Sequence, residues 1–366
     1  MTRRAHSRPP KVVAVAPNWL GDAVMCLPAV ALLARGGATT AVACAPYVAR
    51  VFWGVDGVDE VWIDAMSGRV RRIAARARAL RALGADAVAL FPPSFASAVP
   101  GFVAGVRHRV GFATDARRAM LTASLGAPSR DVHLGKSYAQ VARRALAAIG
   151  VPDGAVGEAP LPILRVSDEE RADAARLLRA AGVTGHDYLV VVPGAAFGPA
   201  KAWPRERYRA LCRLLARDAP VVVCGGAGDR DVCAGITGGV DGVVNLAGTT
   251  SLGEFFAVVE SARALVANDS GAPHVAAALG VPVVVLFGST SPAWTAPLGA
   301  TVEVLQHKVH CTPCYRRHCP TQLECFHGIE VDAVRERVSA VRRAARDSSR
   351  RGDGPSDRIA GARATS

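Results

Sequence analysis

"ALVANDSGAPHVAAALGVPVVVLFGSTSP" (residues 264–292) holds the fold in one stretch. An apolar run ends at Ala267, and Asn268, Asp269, Ser270 and Gly271 supply turn chemistry. A helical pattern then starts near Pro273, and a second apolar run covers 283–286. Strand, turn, helix and strand, with both strands apolar on every side, make the βαβ unit of a parallel sheet covered on both faces. Ser270 or Asp269 is placed to cap the helix, which leaves free N–H groups beside Gly271 for a pyrophosphate. A carboxylate there would repel phosphate unless Asp269 turns to neutral hydroxyls. Sugar hydroxyls are natural partners for it, through charge-assisted hydrogen bonds.

The same alternation extends in both directions. Strand candidates are 12–16, 40–45, 60–63 and 87–91 in the first half, and 188–192, 221–224, 242–245, 264–267 and 283–286 in the second. Helical spacing fills 168–181, 205–217, 252–259 and 274–279. The Gly/Pro-rich stretch "GVPDGAVGEAPLPILRV" (150–166) separates the halves. The reading is therefore a first domain over 1–155, a linker over 156–166, a second domain over 167–330, a C-terminal helix over 331–345 and a disordered polar tail over 346–366. Two doubly wound domains in tandem are expected to bind a ligand at the carboxyl ends of their strands.

Half of the 366 residues are apolar, which excludes global disorder, and no apolar run nears the roughly 20 residues of a membrane span. The basic start of the chain carries too short an apolar run for a signal peptide, so a cytoplasmic protein is expected. The net charge of +13 is uneven: residues 1–155 hold 20 Lys and Arg against 9 Asp and Glu, and the rest 24 against 22. An anionic partner is thus expected at the first half. The basic segment at 67–84 has six arginines, no acid, and Val70, Ile73, Ala77 and Leu80 on one helical stripe. It is a candidate for peripheral contact with an anionic inner-membrane surface, or a solvated helix face. Neither aromatic-basic interleaving nor a nucleic-acid module is present, so no nucleic acid is expected as partner.

Three further loops follow strands. In "VVVPGAAFGPAKAWPRERY" (190–208), Gly194, Ala195, Ala196 and Gly198 allow backbone N–H groups close to an anion, and Lys201 supplies a point charge. In "VCGGAGDRDVC" (223–233), Asp229 or Asp231 suits a ribose hydroxyl. In "APNWLGDAVMCLPAVALLAR" (16–35), Asp22 is one acid among apolar and small residues, as a helix cap, a base or a solvated side chain. Five cysteines (Cys26, Cys44, Cys212, Cys224, Cys233) sit in apolar contexts and read as buried thiols. The other four make "CTPCYRRHCPTQLECFHGI" (311–329), with spacing C-x2-C-x4-C-x5-C. Cys311, Cys314, Cys319 and Cys325 are the candidate ligands of a structural zinc, because a cytosolic chain disfavours disulfides. An iron–sulfur cluster is the other metal reading.

Together "PNWLGDAVM", "PGAAFGPAKAWP" and "NDSGAPHVAAALGVPVVVLFGSTSP", in this order, resemble the bacterial lipopolysaccharide heptosyltransferases, glycosyltransferase family nine, above all the heptosyltransferase II branch. The resemblance covers roughly 12–329. It implies an α/β chain of the GT-B class, two Rossmann-like doubly wound domains facing a cleft, with acceptor on the first and ADP-heptose on the second. It implies inverting transfer from ADP-L-glycero-D-manno-heptose to the inner core of a lipid A-linked oligosaccharide, with no metal or other cofactor needed for catalysis. Asp22 would be the general base, and Asn18, Trp19 and Gly21 would meet the acceptor. Lys201 and the 194–198 loop would hold the diphosphate, Asp229 and Asp231 would lie at the nucleoside, Asp269 would grip heptose hydroxyls, and Ser270, Gly271 and His274 would line the donor site. The family often has Glu where Ala196 stands and a large apolar residue where Ala272–Pro273 follow "NDSG". Two other readings stay open: the same fold with another nucleotide sugar or a soluble acceptor, and a non-catalytic nucleotide-binding protein.

Overall fold

The protein is described by a computed structural model over residues 8–64 and 68–350. It divides into two compact units, Met1–Ile163 and Leu164–Ser366. Each unit is built on one six-stranded, all-parallel sheet, as the uninterrupted apolar runs require.

The first sheet comprises β1 (Lys11–Val15), β2 (Thr39–Cys44), β3 (Val58–Ile63), β4 (Ala87–Leu90), β5 (His108–Phe112) and β6 (Ala123–Leu125), in the order β3-β2-β1-β4-β5-β6. The second comprises β7 (Leu189–Val192), β8 (Val221–Val223), β9 (Val243–Asn245), β10 (Ala264–Asn268), β11 (Val283–Phe287) and β12 (Val302–Gln306), in the order β12-β11-β10-β7-β8-β9. Renumbered from its own first strand, the second order is the first one reversed in listing. Both are the doubly wound order of Rossmann sheets, so the expectation of two Rossmann-like domains holds. In each sheet the order reverses between the first and fourth strands, at β1/β4 and β7/β10. Loops leaving those strands diverge to opposite sides and leave a crevice, and ligands of such sheets bind there.

Three strands escape the apolar-run reading: β5, β6 and β12. β5 carries His108 and Arg109, β6 has three residues, and β12 is a partly exposed edge strand. Two helices also differ from expectation. Residues 16–35 hold two helices, Leu20–Met25 and Leu27–Arg35, with Pro28 in the first turn of the second, where its missing N–H costs little. The C-terminal helix runs Val331–Arg350, five residues into the stretch expected to be a disordered tail. Its Val334, Val338 and Val341, spaced at helical intervals, enter the core of the second unit beside Tyr208, Leu211 and Leu215, which anchors the helix. The rest of the expected tail, 351–366, lies outside the described residues.

In the helix Arg69–Ala82, Ala77 and Leu80 turn inward, and Arg76 Nε donates to the buried Asp64 carboxylate at 2.9 Å. Val70, assigned to the same stripe from sequence, is instead 79% exposed.

Candidate functional site

In the second unit the switch point lies between the ends of β7 and β10, and Asn268 fixes it. This fully buried side chain ends β10 and makes three hydrogen bonds. Its Oδ1 accepts from the Trp203 backbone N–H at 3.0 Å and from the Tyr208 hydroxyl at 2.9 Å, and its Nδ2 donates to the Pro193 carbonyl at 2.7 Å. The two ends of the 193–203 loop are thereby tied to one residue. The loop carries Lys201 back to the end of β10, where Nζ stands 2.6 Å from Asp269 Oδ2. The pair is largely withdrawn from water, with side chains 15% and 5% exposed. The Thr290 hydroxyl donates to Asp269 Oδ2 at 2.6 Å, and that of Thr295 to Oδ1 at 3.4 Å. Thr290 is held in turn, since Gln306 Nε2 donates to its carbonyl at 3.0 Å.

The helix Gly271–Ala278 starts at this point, with Ser270 as its N-cap residue. No side-chain cap is made, which corrects the sequence expectation for Ser270 and Asp269. Asp269 is taken by Lys201 and the two threonines, and the buried Ser270 hydroxyl has no hydrogen-bond partner. His274 is buried one turn along the helix. A concave end with an unpartnered hydroxyl, uncapped N–H groups, an ammonium and a carboxylate is chemically suited to a ligand bearing both phosphate and hydroxyls.

The 194–201 loop has little room for side chains. Asp229 packs against Gly194, where a Cβ would lie 2.6 Å from its Oδ2, and the same carboxylate accepts the Gly226 N–H at 2.9 Å. Asp229 therefore lines the loop, whereas Asp231 is exposed on the first turn of the following helix. Gly198 takes φ 149°, and a Cβ there would meet the Arg317 carbonyl at 2.6 Å. Ala195 is half-buried and Ala196 exposed. The Phe197 ring has Lys201 Nζ at 5.4 Å and the Arg317 guanidinium at 5.2 Å from its centroid.

In the first unit, the loop after β1 leads into the helix Leu20–Met25, where Trp19 is the N-cap residue. Asp22 is thus in the first helical turn and is not its cap, a position where the helix dipole favours a carboxylate. It is half-buried, and its charge is felt by Cys26 and Tyr138. Burial first, and the Asp22 charge second, push that thiol and that phenol well above their ordinary ranges, so both stay protonated. Tyr138 packs at a tilt against Phe91, the residue after β4, with 5.4 Å between centroids and 57° between the ring planes. Its helix, Leu134–Ala148, is capped by His133 Nδ1, which accepts the Gly135 N–H. Asn18 and Trp19 (53% exposed) face water, and Gly21 is half-buried.

Cys311, Cys314, Cys319 and Cys325 all line one small cavity of the second unit, and all are free thiols. As placed, the sulfurs do not form a ready ligand set: among the described residues no three His, Cys, Asp or Glu groups are arranged to hold a metal.

Reading the sequence alone passes over Asn268, Thr290 and Thr295. Asn268 and Thr290 lie in the stretch that decides the fold, "NDSG" and "GSTSP", so the signal was a polar residue at the end of an apolar strand.

Residues 73–324 match the profile of glycosyltransferase family 9 (heptosyltransferase). The chain is 29% identical over 327 residues to lipopolysaccharide heptosyltransferase 2 of Escherichia coli K12, covering 82% of this chain and 90% of that one. It is 30% identical over 233 residues to lipooligosaccharide heptosyltransferase 2 of Haemophilus influenzae, covering 60% and 65%. Its fold superposes on the structure of E. coli ADP-heptose lps heptosyltransferase II with a TM-score of 0.75 at 25% identity, over 92% of this chain and 99% of that one. A family 9 glycosyltransferase from Veillonella parvula gives 0.77 at 21% identity, over 92% and 99%.

Proposed function

Because this chain belongs to glycosyltransferase family 9, the heptosyltransferases, we propose that it transfers heptose from ADP-L-glycero-D-manno-heptose to the inner core of a lipid A-linked oligosaccharide, in lipopolysaccharide biosynthesis. The observation that carries the reading is the buried Lys201–Asp269 pair at the β7/β10 switch point, beside the unpartnered Ser270 hydroxyl. Donor phosphates and sugar hydroxyls together would satisfy all three groups.

In this reading the N–H groups of the Gly194, Ala195, Ala196 and Gly198 loop and Lys201 cradle the diphosphate. Asp269 exchanges part of its contact with Lys201 for heptose hydroxyls, and Ser270, Gly271 and His274 close the pocket. Asp229, already against Gly194, meets the ribose, and Asp231 lies further out. Trp19, with Asn18 and Gly21, offers an exposed indole face to an acceptor sugar.

The reaction is a single displacement. The acceptor oxygen forms a bond to the anomeric carbon as the bond from that carbon to the diphosphate oxygen breaks, which inverts the centre. The acceptor proton passes to the Asp22 carboxylate, and ADP leaves with its new charge held by Lys201 and the loop N–H groups. The Asp22 carboxylate need only take the proton late, because the hydroxyl becomes acidic as the new bond forms. Lys201 and N–H dipoles supply the stabilisation a divalent cation would otherwise give, so no metal is required for the chemistry.

Transfer is measured by offering ADP-heptose beside UDP- and GDP-sugars, with Mg2+ and Mn2+ omitted and then restored, and by reading the product's anomeric configuration. Preferred transfer from ADP-heptose with inversion and without added cation supports the reading. Preference for another donor favours a changed pocket, for which exposed Ala196 and buried Ala272–Pro273 are the specific departures. Binding without turnover of any donor would leave a nucleotide-binding protein.

No helix among the described residues is long and apolar enough to cross a membrane. The proposed acceptor is lipid-linked, and we propose peripheral contact at the inner face of the cytoplasmic membrane. The helix Arg69–Ala82 carries exposed Arg71, Arg72, Arg78 and Arg81, and Arg81 donates to the carbonyl of Val103, which is exposed together with Phe102. A basic face with apolar side chains at its edge suits an anionic leaflet. Flotation with anionic but not neutral vesicles tests it.

A further inference from the structure

From the end of β12 at Gln306 to Val331 the chain forms one regular element, the four-residue helix Glu324–His327. So long an irregular stretch inside a compact unit needs something other than a backbone ladder to hold it. Tyr315 (φ 55°) and Leu323 (φ 56°) are both left-handed without being glycine, a conformation that persists only where the surroundings enforce it. Few backbone hydrogen bonds reach out of the segment: Tyr315 N–H donates to the Ser289 carbonyl, and the Arg317 carbonyl accepts the Ala200 N–H.

This segment brings four cysteines, 14 residues apart from first to last, onto one cavity. Cys325 is buried at its floor, Cys311 is exposed, and Cys314 and Cys319 are half-buried. Ala200, Ser289, Val309, Thr312, Thr321 and Leu323 complete the lining, with Glu324 the one carboxylate. All four cysteines contribute to the wall of this one cavity, so a single ion held in it would draw on all four. Four thiolates about 2.3 Å from a tetrahedral ion are the usual closed structural zinc site, and such sites fold short irregular segments by themselves.

We propose that Cys311, Cys314, Cys319 and Cys325 bind one zinc ion as a four-thiolate knuckle, and that this knuckle braces the 194–201 loop. On binding, four S–H protons leave to solvent and four Zn–S bonds form, with no change of oxidation state. The bracing follows from what the segment touches. The Arg317 carbonyl holds the Ala200 N–H at 3.1 Å and sits where a Cβ on Gly198 would be. The Tyr315 N–H holds the Ser289 carbonyl at 2.8 Å, one residue before the Thr290 that orients Asp269. The effect on nucleotide binding rests on the reading of the 194–201 loop as a diphosphate cradle; the zinc site itself does not.

The experiment uses the full-length chain, reduced and stripped of metal with a chelator, titrated with Co2+ as a spectroscopic stand-in for zinc. The expected result is one cobalt per chain with thiolate-to-cobalt charge transfer and tetrahedral ligand-field bands, bleached by one equivalent of Zn2+. The Cys311→Ser/Cys314→Ser double variant, altered at the outer side of the cavity, loses the spectrum, and His318→Ala keeps it. Absence of the charge-transfer band, its survival in the double variant, or iron in place of zinc in the purified protein would overturn the zinc site. ADP affinity of the double variant, read by calorimetry, is expected to fall about tenfold. Unchanged affinity alongside lost cobalt binding refutes the bracing, whereas a wild-type chain that binds zinc but no ADP refutes the proposed donor site instead.

Discussion

Replacing Lys201 with Met removes the ammonium 2.6 Å from Asp269 and leaves the carboxylate buried. Bare Coulomb energy at that distance is about 6 kcal/mol at an effective dielectric of about 20, an upper bound because both ions have given up water. Removing one partner of a buried pair costs about 3–5 kcal/mol. The lower end applies, because Thr290 and Thr295 still donate to Asp269. Lys201→Met is therefore expected to destabilise the second unit by about 3 kcal/mol, and Asp269→Asn by about 2 kcal/mol, since a long lysine can swing toward water. With both charges gone no unpaired ion remains, so the double variant should cost about 3 kcal/mol and the coupling should be about 2 kcal/mol. Urea unfolding followed by tryptophan fluorescence reads this, because Trp203 is buried in the core of the same unit. Additive single losses, or a Lys201→Met cost below about 0.5 kcal/mol, would refute a buried, mutually dependent pair.

Asn268→Leu strands the Trp203 N–H, the Tyr208 hydroxyl and the Pro193 carbonyl in a dry core, at about 1–3 kcal/mol each, and should lower the urea midpoint more than Lys201→Met does. Gly198→Ala puts a Cβ against the Arg317 carbonyl at φ 149°, so ADP affinity by calorimetry should fall by about tenfold or more with little change in secondary structure by circular dichroism. Alkaline pH should destabilise the fold. Burial pushes the Cys44 thiol up to about 11 and those of Cys212, Cys224 and Cys233 up to about 12, from 9.0. Above 9.0 the unfolded chain loses these protons while the folded chain keeps them, so stability is complete below that pH and drains away as pH rises toward the folded values. Urea midpoints at about pH 8 and about pH 10 check the sign.

The architecture was legible because it rests on burial. β7, β8, β10 and β11 are covered on both faces, and a run such as Val283–Phe287 can be little else than an interior parallel strand. β5, β6 and β12 were not legible, because an edge or near-edge strand can keep charge or be very short without penalty. The C-terminal helix outran its expected end for a related reason: Val334, Val338 and Val341 anchor it in the core, and polar residues then extend it without cost. At the site, composition marked the loops but left the pairing of side chains open. "NDSG" reads equally as a capped turn. Only the fold shows Asp269 turned to Lys201 and Thr290, Ser270 left without a partner, and Asp22 in the first helical turn where a cap residue was an alternative. Asn268 was invisible as an anchor because its three partners lie 60 to 75 residues away in sequence.

The most direct test of the account is heptose transfer from ADP-heptose by the wild-type chain and by Asp22→Asn, with ADP binding measured on both. Asp22 belongs to the first unit, whereas the residues proposed to hold ADP all belong to the second. Asp22→Asn is expected to lose about 10²–10⁴ in kcat with the Kd for ADP unchanged, as removal of a general base requires. Turnover retained in full by Asp22→Asn would contradict it.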